Sequence, residues 1–274
     1  MESHYISENT KRVTVSTIAQ MKAAGEKIAM LTVYDYTMAR LVDAAGVDIM
    51  LVGDSAANTM AGYSTTLPIT LQEMMVYARS VVRAREHALV VFDMPFGSYQ
   101  TGLDDAVSNA VSVMKETGCD ALKLEGGSEH LDVVRRFVEC GIPVMGHLGL
   151  QPQRVNAYGG FALRATQQAE ADKLKKDALL LQEAGCFSLV LEKIPATLAA
   201  EVASSLSIPV IGIGAGPNVD GQVLVLQDML GMSGTFHPKF LRTYANLGEQ
   251  ITKAAAQYVA DVKQSDFPSL EESY

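Results

Sequence analysis

The chain alternates between short apolar runs and longer segments with a helical period. The apolar runs are "KIAMLTVYD" (27–35), "DIMLVGD" (48–54), "ALVVFDM" (88–94) and "DALKLEG" (120–126), then "IPVMGHLG" (142–149), "FSLVLEK" (187–193), "IPVIGIGAG" (208–216) and "QVLVLQDM" (222–229). They stay apolar along their length instead of alternating in and out. Strands buried on both faces read this way, and such strands belong to parallel sheets. Between them, "TLQEMMVYARSVVRARE" (70–86) repeats apolar residues every three or four positions. "LDDAVSNAVSVMKETG" (103–118) has the same period and ends in glycine, a helix-stop signal, and "QQAEADKLKKDALLLQEAGC" (167–186) closes on Ala-Gly before Cys186.

Strand and helix repeat in this way through 274 residues, which predicts about eight strands in one domain. At this length a (β/α)8 barrel fits better than an open sheet. A doubly wound sheet usually opens with a glycine-rich turn after its first strand, whereas here that segment reads "TVYDYTMAR". "GIGAGP" (212–217) closes the seventh run, where barrels often hold an anion. The domain reading is a single barrel over 1–274 with an N-terminal extension (about 1–25). A C-terminal amphipathic helix and polar tail (about 245–274) would pack on a partner subunit or cover the barrel bottom.

Composition narrows the class. Hydrophobic residues make up 48% and charged residues 19%, which supports a large core and argues against disorder. A net charge of −9 argues against a nucleic-acid partner. Cys119, Cys140 and Cys186 form no CxxC pair and read as reduced thiols. No signal-peptide core opens the chain, and no apolar run approaches the roughly 20 residues that cross a bilayer. The expectation is a soluble, cytoplasmic protein with no membrane partner.

Candidate chemistry lies where the runs end. Asp54, Asp93, Glu125 and Glu192 each fall at or just past the end of an apolar run. In a parallel barrel all strand C-termini open on one face, so these acids converge. Lys123 precedes Glu125 by two residues and shares its side of the strand, and His147 lies near the end of the fifth run. Clustered carboxylates need a cation, a shared proton or a basic partner. Hard oxygen ligands without Cys or paired His favour Mg²⁺ over Zn²⁺. A Mg²⁺ held this way would chelate a 2-oxo acid and stabilise its enolate. Each residue also has a plainer use. An acid caps a helix or solvates a loop, Ser55 caps the turn after its strand, Lys123 lies on the surface, and His147 makes a structural hydrogen bond. The case rests on recurrence at equivalent places.

Specific words then connect the chain to a family. "LTVYDYTMARL" (31–41), "MLVGDS" (50–55), "STTLPITL" (64–71), "LKLEGG" (122–127), "GIPVMGHLGLQPQ" (141–153), "LVLEKIP" (189–195), "IPVIGIGAG" (208–216) and "DGQVLVLQDMLGM" (220–232), then "PKF" (238–240), resemble ketopantoate hydroxymethyltransferases. The resemblance implies a (β/α)8 barrel of the phosphoenolpyruvate-mutase-like type. It implies transfer of a one-carbon unit from 5,10-methylenetetrahydrofolate to 3-methyl-2-oxobutanoate, giving 2-dehydropantoate for coenzyme A synthesis. It assigns Asp54, Asp93 and Glu125 to Mg²⁺. Ser55 and Lys123, with Asp54 and Asp93, go to the oxo acid, and Glu192 is the proton acceptor; His147 is a candidate substrate contact by its position alone. It also implies a homo-oligomer, commonly a decamer. The alternative is a Mg²⁺-dependent C–C lyase acting on an oxo acid without folate. Three places depart from the family pattern: Ala56-Ala57-Asn58 after "VGDS", Tyr63 before "STTLP", and Lys193 beside Glu192.

Overall fold

The computed structural model describes residues 12–234 and 237–274, so the first eleven residues of the predicted N-terminal extension lie outside the described chain. Eight strands form: β1 (Ile28–Thr32), β2 (Ile49–Val52), β3 (Leu89–Asp93), β4 (Ala121–Glu125), β5 (Val144–Gly149), β6 (Ser188–Glu192), β7 (Val210–Ile213) and β8 (Gly221–Leu224). They pair in chain order, all parallel, and β8 returns to β1 to close a barrel. The eight apolar runs predicted this architecture. One boundary was wrong: the run 222–229 splits into β8 and a helical turn at Leu226–Met229. A short apolar run does not distinguish a strand from a buried helical turn, and Leu-Gln-Asp-Met contains good helix formers.

Among the described residues, nine α-helices accompany the strands in the first compact unit, Met1–Leu224. They are α1 (Val15–Ala24), α2 (Tyr36–Ala44), α3 (Ala56–Thr59), α4 (Leu71–Ala84), α5 (Leu103–Thr117), α6 (Leu131–Glu139), α7 (Val155–Tyr158), α8 (Gln168–Glu183) and α9 (Ala196–Ser205). Local chemistry sets their limits. Thr70 caps α4, and Glu73 Oε2 accepts from the Thr70 N–H at 2.8 Å, a reciprocal capping box. Gly118, at φ 72°, ends α5 in a left-handed cap.

Inside the barrel, alternate residues of each strand point inward. Ile28, Met30, Ile49, Leu89, Val91, Ala121, Met145, Val190, Ile211 and Val223 fill it as one cluster. Ile18 and Met21 of α1 join that cluster, so α1 closes the N-terminal end of the barrel. Cutting Ile18 to Ala would cost about 2–5 kcal/mol by leaving a cavity there. Continuing two residues along β3, β4, β5 and β6 from these apolar positions leads to Asp93, Lys123, His147 and Glu192. The barrel therefore has an apolar floor and an ionisable top layer.

The second unit, Val225–Tyr274, contains α10 (Leu226–Met229) and α11 (Leu247–Gln264). Its own backbone bonds, Tyr244 N–H to Met229 O at 2.8 Å and Leu247 N–H to Leu230 O at 2.9 Å, tie the start of α11 to the turn after α10. Among the described residues no helix is long and apolar enough to cross a membrane. The three cysteines are free thiols: Cys119 and Cys186 are buried and Cys140 is exposed.

Candidate active site

Strand register sets the ionisable layer. Asp93 pairs across to Lys123, Glu125 to His147, and Gly149 to Glu192. Asp54 comes from the turn between β2 and α3, and its backbone N–H donates to Asp93 Oδ2 at 3.3 Å. Lys123 Nζ donates to Asp93 Oδ1 at 2.7 Å and stands 4.0 Å from Glu125 Oε1. His147 lies between two acids, with Nδ1 3.5 Å from Glu125 Oε1 and Nε2 3.4 Å from Glu192 Oε2. Neither ring nitrogen has a hydrogen-bond partner, so these contacts are charge pairing instead of hydrogen bonding. Glu125 Oε1 is buried without a partner as well. The Glu192 side chain is 17% exposed, against 2% for Glu125, and is the more accessible carboxylate.

The layer is electrostatically tense. Burial raises the Asp54 carboxyl well above the ordinary range, and repulsion from Asp93 and Glu125 adds to the rise. Burial also raises Asp93, although Lys123 opposes the shift. Burial pushes Glu125 upward too, but His147, Lys123 and the Gln153 N–H outweigh it and hold this carboxyl low. Burial alone would discharge Lys123, yet Asp93, Glu125 and Asp54 hold its proton more tightly than usual. For His147, burial and Lys123 push down, while Glu125 and Glu192 lift it to about 9. Among the described residues, no three His, Cys, Asp or Glu side chains are gathered into a group that could hold an ion. In this arrangement the Lys123 ammonium reaches two of the three carboxylates and offsets their repulsion.

The structure thus brings Asp54, Asp93, Lys123, Glu125, His147 and Glu192 into one connected layer. Ser55 stands in the same turn as Asp54. It makes no capping hydrogen bond to α3, and its Oγ instead shares a 2.8 Å hydrogen bond with Tyr34 Oη. Burial pushes the Tyr34 phenol up to about 12, which keeps it protonated. Gly149, at φ 93°, has no room for a Cβ, which would stand 2.3 Å from the Glu192 carbonyl. That close approach lets the Leu150 N–H bond the same carbonyl at 2.8 Å and fixes the end of β6.

The departures from the family pattern resolve into two local devices. Ala56 and Ala57 are buried in α3, and Asn58 Nδ2 donates to the Tyr63 carbonyl at 2.8 Å, so Asn58 and Tyr63 form one clamp. Lys193 adopts a left-handed φ of 45°, and its ammonium goes to the Phe161 carbonyl. It is therefore directed away from Glu192.

Two site residues escaped the sequence reading. Gln153, in the turn Pro152–Arg154 after β5, donates its backbone N–H to Glu125 Oε2 at 3.0 Å and its Nε2 to Asp54 Oδ2 at 3.1 Å. Tyr99, in the loop after β3, accepts the Glu125 N–H at 3.2 Å and donates to Gln153 Oε1 at 2.8 Å. Both sit in loops without periodicity. The words "LGLQPQ" and "FGSYQ" carry no signal that one residue contacts two carboxylates.

Comparison with solved structures defines the class first. A phosphonopyruvate hydrolase aligns over 95% of this chain and 93% of its own, with a TM-score of 0.60 and 9% identity. A 2,3-dimethylmalate lyase of the PEP mutase/isocitrate lyase superfamily aligns over 96% and 92%, with a TM-score of 0.58 and 15% identity. These likenesses establish the fold, an α/β barrel of the phosphoenolpyruvate-mutase-like type. The family follows from sequence. The ketopantoate hydroxymethyltransferase family pattern matches residues 12–270. The chain is 59% identical over 270 residues to the Bacteroides thetaiotaomicron 3-methyl-2-oxobutanoate hydroxymethyltransferase, covering 98% of this chain and 99% of that protein. It is 58% identical over 272 residues to the Porphyromonas gingivalis protein of the same name, covering 99% and 100%. The chain belongs to the ketopantoate hydroxymethyltransferase family and is a transferase enzyme.

Proposed function

We propose that the chain transfers a hydroxymethyl group from 5,10-methylenetetrahydrofolate to 3-methyl-2-oxobutanoate, giving 2-dehydropantoate on the route to coenzyme A. The observation that carries this reading is the buried layer of acids around Lys123, with Glu192 at its more open side. By donor type the residues of this layer suit a magnesium ion, although the three carboxylates are not gathered into one cluster in the structure. The donors are hard oxygens, Glu125 Oε1 is buried without a hydrogen-bond partner, and three carboxylates outnumber Lys123. Asp54 and Asp93 would hold the ion, with Glu125 completing the set. When bound, Mg²⁺ would act as a Lewis acid on the 2-oxo acid.

The side chains do the rest. Ser55, Lys123 and His147, with Asp54 and Asp93, would orient the oxo acid over the barrel mouth. Glu192 would take the C3 proton, and a carboxylate with partial access to the pocket is suited to that task. Lys123 keeps its positive charge beside the place where negative charge develops, and burial strengthens that attraction. Beside Glu125, a cavity of about 570 Å³ lined by Phe96, Gln100, His130 and Gln151 offers room for the folate. The proposal extends to a cytoplasmic homo-oligomer, a decamer by family resemblance. Exposed apolar side chains on the outer helices, such as Leu41 and Val76, suit such an assembly.

A transfer assay tests the reading. With 3-methyl-2-oxobutanoate, 5,10-methylenetetrahydrofolate and Mg²⁺, 2-dehydropantoate is expected, and leaving out the folate should abolish it. Cleavage of an oxo acid without folate would favour the lyase alternative instead.

A further inference from the structure

We propose that Gln153 is the positioning residue of the acidic layer, holding the Asp54 and Glu125 carboxylates in the orientation that receives the cation. This inference rests on the reading that those two acids serve a metal ion.

The network around Gln153 leaves one orientation for its amide. Gln100 Oε1 accepts from the Gly97 N–H at 2.7 Å, so the Gln100 NH₂ is the group facing Gln153, at 3.1 Å from its Oε1. Tyr99 Oη accepts the Glu125 N–H, and of the two acceptors within reach of its own proton Gln153 Oε1, at 2.8 Å, is nearer than the Glu125 carbonyl, at 3.2 Å. Two donors therefore converge on Oε1. Nε2 must face the two remaining acceptors, Asp54 Oδ2 at 3.1 Å and the Met94 carbonyl at 3.0 Å. The backbone N–H of the same residue donates to Glu125 Oε2 at 3.0 Å. One loop residue thus restrains two acids from two different strand ends, β2 and β4.

The consequence is directional. Each restraint occupies one carboxylate oxygen, Oδ2 of Asp54 and Oε2 of Glu125. The other Glu125 oxygen, Oε1, makes no hydrogen bond and faces Lys123 Nζ at 4.0 Å and His147 Nδ1 at 3.5 Å. Partners of this kind fix ligand orientation before the ion arrives, and losing one weakens metal affinity by about 10- to 100-fold.

The test is calorimetric titration of Mg²⁺ into the wild type, Gln153→Met and Tyr99→Phe, with the melting temperature of each followed in parallel. Methionine keeps the length of glutamine and removes every side-chain hydrogen bond. Gln153→Met is expected to bind Mg²⁺ about 10- to 100-fold more weakly. Tyr99→Phe, which keeps the amide but frees its orientation, should lose affinity in the same direction and by less. If Gln153→Met is folded and binds Mg²⁺ as tightly as the wild type, Gln153 is merely structural and the inference is overturned. If Gln153→Met does not fold, Tyr99→Phe decides: unchanged affinity there overturns the inference. A wild type that binds no Mg²⁺ overturns the metal reading itself, which the first two outcomes leave standing.

Discussion

At the N-terminal end of the barrel, Asp43 accepts hydrogen bonds from three successive backbone groups, Glu86, His87 and Ala88, at 2.7, 3.0 and 2.7 Å. Asp120 there accepts the Val90 N–H at 2.9 Å and pairs with Arg12 and Arg85. Asp220 accepts the Val210 N–H at 2.8 Å and pairs with Lys22 at 2.7 Å. At the C-terminal end, Asp93 and Glu125 share Lys123, His147 stands beside Glu125, Asp54 has the Gln153 amide, and the three carboxylates repel one another. Acids line both ends, the lower ones just before β4 and β8 or in the last turn of α2; the number of partners differs. The lower acids are fully engaged in joining one βα unit to the next. The upper acids are held in a costly arrangement, of the kind found where groups are kept for chemistry. An acid at a strand end is thus structural or functional according to how its oxygens are satisfied.

Substitutions at the two ends should separate stability from activity. The largest effect is expected for Asp54→Asn. Removing this charge should lower kcat by more than about a hundredfold, because the stabilisation of developing charge is lost. Asp54 has a raised folded-state pKa, so its ionised form costs stability above the ordinary carboxylate range. The melting temperature of Asp54→Asn at pH 7 without divalent ions should therefore equal or exceed that of the wild type. A clear loss would place Asp54 with the structural acids.

The opposite pattern is expected for Asp43→Ala. It strips acceptors from three backbone N–H groups and should cost about 2–4 kcal/mol in denaturant unfolding. The surviving folded enzyme should keep its kcat within about twofold, since the site is remote. A large fall in kcat with unchanged stability would break the comparison.

His147 gives a smaller effect that depends on pH. Its folded-state pKa is raised from 6.5 to about 9, so its stabilising contribution is complete below pH 6.5 and is lost as pH rises through about 9. In metal-free protein, His147→Gln should be less stable than the wild type at pH 6, by at most about 3 kcal/mol. The two should converge near pH 10, and melting curves at both pH values check this. A difference that is the same at both pH values would mean that the imidazole acts by packing alone.

Much of this was legible in the sequence, for reasons that also mark its limits. Continuous apolar runs such as "ALVVFD" and "SLVLE" predicted parallel strands because burial on both faces leaves no polar alternation. The two-residue period then put Lys123 and Glu125 on one side of β4, as found. Glu192 and His147 sat at predicted strand ends, but their mutual contact did not follow from either word. Register set that contact, by pairing Glu125 with His147 and Gly149 with Glu192. The same period kept Lys193 apart from Glu192, and the structure agrees, with an added left-handed turn that no propensity suggests. Ser55 read equally well as a cap, and the structure gives it no capping bond but a contact with Tyr34 instead. Gln153 and Tyr99 could not be read at all, because loop conformation, and not spacing, brings an amide and a phenol to the carboxylates.

The most direct test of the central claim is hydrogen–deuterium exchange at C3 of 3-methyl-2-oxobutanoate, followed by proton NMR in wild type and Glu192→Gln. It would be run with Mg²⁺ and then with EDTA, and with the folate site either empty or filled by an unreactive tetrahydrofolate. The account predicts exchange in the wild type that needs Mg²⁺ and slows by about 10²- to 10⁴-fold in Glu192→Gln, while the mutant still binds the oxo acid. Exchange that persists in EDTA, or that proceeds at the wild-type rate without Glu192, would contradict it.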